Sequence, residues 1–106
     1  MTFEEYQTQA IKTAIYKDKV VYPALGLVNE AGEVAGKVKK VLRDSDRNFS
    51  PEKREEIADE MGDVLWYLAA LAMDLNLDLE QIAQRNLNKL NSRMARGVLG
   101  GSGDNR

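Results

Sequence analysis

The chain repeats itself acid for acid. Shifted by 30 residues, Leu27-Val-Asn-Glu-Ala-Gly-Glu-Val34 falls on Ile57-Ala-Asp-Glu-Met-Gly-Asp-Val64, so Glu30-Ala-Gly-Glu33 matches Glu60-Met-Gly-Asp63. In a helix each acid pair is spaced i,i+3 and shares a face. Two such pairs meeting across a helix contact put four carboxylates at one place, where like charges repel unless a cation lies between them. Apolar periodicity builds both segments alike. Leu27, Ala31, Val34, Val38 and Val41 form one stripe, widened by Val28, Ala35 and Leu42. Ile57, Met61, Val64, Leu68, Leu71 and Leu75 form the other, widened by Leu65 and Ala72. At ~100° per residue the two acids of each segment lie ~60° and ~120° to the same side of the stripe. An antiparallel pair with such offsets is related by a local twofold that brings the acids together beside the shared core. Gly32 and Gly62 follow the same repeat and cost about 1 kcal/mol each in mid-helix. They project away from the acids, and close helix contact is the expected reason for them.

Around this repeat the sequence predicts four helices and no strands. The first runs from about Phe3 to Tyr16, with Thr2 and Glu5 at capping-box spacing. The second starts at Pro23 and reaches about Arg43. The polar, aperiodic stretch from Asp44 to Ser50 is a loop, and Ser50-Pro51 restarts a helix that reaches about Leu75. Asp78 and Gln81 cap the fourth, which ends at Gly97. Residues 1–96 are thus expected to be one domain, and residues 97–106 a glycine-rich tail, flexible by composition.

Absences narrow the chemistry. There is no Cys, which excludes thiolate nucleophiles and sulfur-bound zinc. There is no His, which removes the commonest general base and most transition-metal ligands, and argues against Glu-x-x-His di-iron bundles. A metal here must be held by oxygen, which favours Mg²⁺, with Mn²⁺ as substitute. A net charge of −2 offers no basic excess for nucleic acid, so direct binding of it is not expected. The longest apolar run, Val64 to Met73, is too short for a bilayer, and Met-Thr-Phe-Glu-Glu lacks signal-peptide order. A cytoplasmic location without membrane attachment is the expectation. A chain of 106 residues leaves much apolar surface uncovered, for which oligomers are one remedy.

Glu30-x-x-Glu33, 26 intervening residues and Glu60-x-x-Asp63 resemble the metal-binding signature of the all-α nucleoside triphosphate pyrophosphohydrolases, and within them the MazG type. The similarity runs from about Leu25 to Arg93 and includes Asp59-Glu-Met-Gly-Asp-Val-Leu-Trp-Tyr67 and Asn86-Leu-Asn-Lys89-Leu-Asn-Ser-Arg93. The ending Gly101-Ser-Gly-Asp-Asn-Arg106 is similar to that of short, single-domain members, phage-borne ones included. Asn29 departs from the pattern, since many relatives carry a further Glu there.

The resemblance implies a four-helix-bundle-like MazG fold, assembled as a homodimer or a dimer of dimers. It also implies cleavage of a nucleoside triphosphate between its α- and β-phosphates, in control or housecleaning of a dNTP pool. Glu30, Glu33, Glu60 and Asp63 would hold Mg²⁺, and Glu33 is assigned the further role of general base. Asn86, Lys89 and Arg93 lie within ~60° of one another on the fourth helix. Spacing alone makes them a solvated polar face; the family pattern makes them substrate-binding residues, with Lys37 a further candidate near the phosphates. Trp66 points roughly opposite the core stripe, and suits either a subunit interface or a base-stacking wall. The tail, with Arg106, either stays disordered or closes over phosphates. Two rival readings stand beside this one: a helical interaction or regulatory module that uses its acids to contact a basic partner, and the same fold acting on a modified nucleotide or an alarmone.

Overall fold

A computed structural model describes residues 1–106 as four helices without strands. They are α1 (Phe3–Ala10), α2 (Val21–Asp44), α3 (Pro51–Asp74) and α4 (Leu79–Ala95), with a 3₁₀ turn at Ile11–Thr13. Side-chain caps start three of them. Thr2 Oγ1 accepts from the Glu5 amide at 3.0 Å, Ser50 Oγ from Lys53 at 3.3 Å, and Asp78 Oδ1 from Glu80 at 2.8 Å. No helix is long and apolar enough to cross a membrane.

The first helix stops short of the expected Tyr16. The carbonyl of Ala10 is taken by the Thr13 hydroxyl (2.7 Å) and the Trp66 indole N–H (3.2 Å), so the chain tightens into 3₁₀ geometry and leaves the α-helical ladder. The link that follows is pinned by one carboxylate. Asp74, with a side chain only 5% exposed, accepts from the Tyr16 hydroxyl at 2.8 Å and from the Val20 amide at 2.9 Å. Val20 pays for this with a backbone φ of 67°, and the Val21 amide reaches back to the Lys19 carbonyl at 2.7 Å in a γ-turn. α2 therefore begins at Val21, and Pro23 sits within its first turn, where an amide proton is not needed.

α2 and α3 pair as a long antiparallel hairpin closed by residues 45–50. α1 lies on α3 and on the start of α4, and buried Gln7 joins all three. Its amide donates to the Ala69 and Leu77 carbonyls (3.2 and 3.1 Å), and its carbonyl accepts from the Leu79 amide at 3.0 Å. Every polar atom of that side chain is used, so its burial carries no desolvation penalty left unmet. α4 packs on α1 and α3 and makes no contact with α2.

Glycine decides how the hairpin fits, though not where the repeat suggested. A side chain at Gly26 would overlap the Tyr67 ring, whereas a Cβ at Gly32 or Gly62 meets nothing within 4 Å. The assignment of Gly32 and Gly62 to helix contact is thus corrected within one chain. The close approach is one turn before Glu30.

Only eight residues are buried, and both apolar stripes remain partly open: Val28 is 71% and Met61 57% exposed. An apolar groove of about 540 Å³ lies between Phe3, Val34, Val64 and Leu68. The radius of gyration is 16.6 Å, against about 13 Å for a compact chain of this length.

Two outcomes test this account. Gly26→Ala should lower stability by about 1–3 kcal/mol through overpacking, while Gly32→Ala should be neutral or stabilising by up to about 1 kcal/mol, both read from urea denaturation. Burial, and then the Asp74 hydrogen bond and charge, push the Tyr16 hydroxyl up to about 12. The unfolded tyrosine titrates near ~10, so this contribution is whole below that pH and lost as pH rises through the folded value. Tyrosinate absorbance should show late titration, and Tyr16→Phe should remove the Tyr16 share of it and flatten the alkaline loss of stability.

Candidate metal centre and phosphate-binding face

The register of the hairpin carries the acids together. Glu30 follows Gly26 by one turn in α2, and Asp63 precedes Tyr67 by one turn in α3, so the helix contact continues into a carboxylate contact. Glu30, Glu60 and Asp63 each present an oxygen, and the three oxygens lie within 4.8 Å of one another. Glu30 and Glu60 are half-buried and Asp63 is exposed. Glu33 is exposed and stands outside this group of three. Three of the four expected acids thus converge.

Their mutual repulsion is visible at Glu30. Burial pushes its carboxyl above the usual range, and the charges of Asp63, Glu60 and Glu33, with a hydrogen bond to Glu60, push in the same direction. The donor set suits a hard divalent cation. An Mg²⁺ ion bound at ~2.1 Å needs oxygens ~3–4.2 Å apart, and the three oxygens here lie within 4.8 Å of one another. All donors are carboxylate oxygens, the ligands such an ion prefers.

Beside the acids, Glu30, Asp63, Trp66 and Tyr67 line a recess of about 350 Å³. Trp66 is half-buried rather than projecting into solvent. Its indole N–H donates to Thr13 Oγ1 at 2.8 Å and to the Ala10 carbonyl, and its ring stands edge-on to Tyr67 and Tyr16. Tyr16 stacks on Tyr22 with centroids 5.0 Å apart, and Tyr22 lies against Tyr67. A hydrogen bond with Tyr22, burial and the neighbouring acids together push the Tyr67 hydroxyl up. Helical angles alone placed Trp66 opposite the core; they could not show that the 3₁₀ turn folds over it. Tyr16 and Tyr22, outside the repeat, gave no sign in the sequence of belonging here.

The fourth helix stands apart. Asn86, Lys89 and Arg93 form no hydrogen bond or ion pair with the acids, and α4 does not touch α2. Lys37 is half-buried and makes no ion pair. Lys89 and Arg93 meet the tail instead. Lys89 Nζ lies 3.1 Å from Asp104 Oδ1, and Arg93 Nη2 donates to the same oxygen at 3.3 Å and to the Asp104 carbonyl at 2.8 Å. The tail is folded, against the expectation from its composition. Gly97 at φ 71° ends α4 in a Schellman motif, with the Val98 amide bonded to the Arg93 carbonyl at 2.9 Å. The Arg106 guanidinium donates to the carbonyls of Val98, Leu99, Gly100 and Gly103 and holds the loop closed.

The sequence is 49% identical to the Gene 37 protein of Mycobacterium phage L5 over 114 aligned positions that span the whole of both chains. No solved structure matches. Residues 23–97, which include all four acids and the α4 cations, match the MazG nucleotide pyrophosphohydrolase domain, and the chain belongs to that family.

Proposed function

We propose that the protein is a Mg²⁺-dependent nucleoside triphosphate pyrophosphohydrolase that releases monophosphate and pyrophosphate and serves a dNTP pool in the cytoplasm, with Mn²⁺ able to replace Mg²⁺. The observation that carries this reading is the convergence of Glu30, Glu60 and Asp63 within 4.8 Å, in a chain of the MazG family. A divalent cation there offsets the charge of acids and triphosphate, polarises the α-phosphate and makes a bound water more acidic. Glu30, Glu60 and Asp63 hold it. Glu33, outside that group and exposed, is the carboxylate free to accept the proton of the attacking water. Trp66 and Tyr67 wall the recess beside the acids, and a base enters there as a flat apolar surface against aromatic rings.

Phosphates beyond the metal need cations. Lys37 is the nearest to Glu33 in α2, one turn on, and Asn86, Lys89 and Arg93 supply the rest from α4. Within one chain Lys89 and Arg93 turn to the tail and form no ion pair with the acids, and in this reading the α4 residues serve the acids of a neighbouring subunit. A homodimer, alone or paired into a tetramer, fits the open groove at Phe3, Val34, Val64 and Leu68 and the expanded radius of gyration.

In a dNTP panel with Mg²⁺, Glu30→Gln and Asp63→Asn should each reduce pyrophosphate release by about 100-fold or more. Undiminished release in either variant rejects the metal assignment. Mg²⁺ at a hundredfold excess over its Kd should add about 2.7 kcal/mol of stability, read as a raised melting midpoint that the same variants lose. An acidic interaction module would show neither effect.

A further inference from the structure

Arg85, Lys89 and Arg93 follow one another at single-turn spacing on α4. Beside them lies an open recess of about 370 Å³, lined by Ile82, Arg85, Asn86 and Lys89. Arg85 forms no ion pair. Lys89 and Arg93 divide a single anionic oxygen between them, Asp104 Oδ1. The Arg93 side chain is only 6% exposed, and its Nε is buried without any hydrogen-bond partner. A buried guanidinium donor left unpaired is costly, so the Arg93 guanidinium, one turn beyond Lys89, is incompletely satisfied by the Asp104 carboxylate and carbonyl that it meets.

Asp104 reaches this place from outside. Its side chain is 83% exposed, and it arrives on a loop that Gly97 turns back along α4 and Arg106 holds shut. The brace made by Arg106 involves only main-chain carbonyls, so it does not depend on the Asp104 carboxylate.

We propose that Asp104 is a tethered competitor for a phosphate seat: Lys89 and Arg93, with Arg85 and Asn86 beside them, take an oligophosphate, and the Asp104 carboxylate must leave before that anion can bind. The proposal rests on the reading that α4 serves the substrate phosphates and adds a control on that face. One carboxylate brings a single negative charge to two cations. A pyrophosphate group brings more charge and more acceptor oxygens, arranged to suit a guanidinium fork. The resident contacts are largely open to water on the Asp104 side, and such pairs contribute little each, so the exchange is shallow and reversible. The tail thereby keeps the seat from weakly charged anions and yields it to oligophosphates.

The test is calorimetric binding of pyrophosphate to the full chain, with EDTA present and ionic strength fixed, so that no metal and no turnover contribute. Asp104→Asn should lower the Kd by ~3- to 10-fold, the scale of losing one exposed competing pair. Adding Lys89→Gln to that variant should remove the gain. A Kd that is unchanged or raised in Asp104→Asn, a gain that survives Lys89→Gln, or no binding in any form would overturn the proposal. The two readings fail separately. Tighter pyrophosphate binding in a protein that never hydrolyses a nucleoside triphosphate would sink the enzymatic reading alone, and normal hydrolysis without tighter binding would sink the competitor alone.

Discussion

The Tyr67 ring lying over Gly26 is the contact on which the site depends. Two antiparallel helices of 24 residues can slide through several registers that all bury apolar stripes. A ring that needs a missing side chain opposite it accepts one of them. Since Glu30 and Asp63 each lie a single turn from this contact, the register that seats the ring also sets Glu30 against Asp63. Packing thereby sets like charges together, and burial first, then the charges of Asp63, Glu60 and Glu33, push the Glu30 carboxyl up. A fold that stores repulsion at one point is suited to a positive ligand there.

The same hairpin is incomplete in a second sense. Its apolar stripes are wider than the contact between α2 and α3 can cover, and α1, eight residues long, covers only part of what remains. Val41 and the alanines at 69, 70 and 72 are enclosed, while residues of the same stripes such as Met61 and Leu68 stay open. Alanines let α1 and α3 approach closely, and Gln7 locks that corner through hydrogen bonds instead of apolar bulk. Order in one corner and exposure along the other face divide the molecule into a part that folds on itself and a part left for a neighbour.

Charge is divided in the same way. The acids gather on α2 and α3, the ordered cations on α4, and no ion pair links the two sets within a chain. The tail settles the α4 cations locally, through Asp104, so neither set is neutralised by the other. Opposite charges held apart by a rigid scaffold remain available to a ligand that carries both a cation and phosphates.

How much of this was legible in the amino acids depended on distance along the chain. Periods of 3.6 residues, caps at Thr2, Ser50 and Asp78, and glycine at 97 are local signals, and they located the helices to within a few residues. The end of the first helix escaped because its carbonyl at Ala10 is captured by Trp66, 56 residues away. Glu30, Glu60 and Asp63 were legible as a cluster because the repeat encodes a symmetric pairing of two adjacent helices. The exclusion of Glu33 from the three converging oxygens, the role of Gly26 in place of Gly32 and Gly62, and the aromatic group of Tyr16, Tyr22, Trp66 and Tyr67 were not, since each depends on side chains meeting across elements. The sequence alone determined an all-helical chain with matched acidic turns and an oxygen-only donor set, because periodicity and residue chemistry are carried by neighbours. Only the tertiary structure decided which acids converge and that Lys89 and Arg93 face the tail, because register and helix docking are set by packing between distant segments.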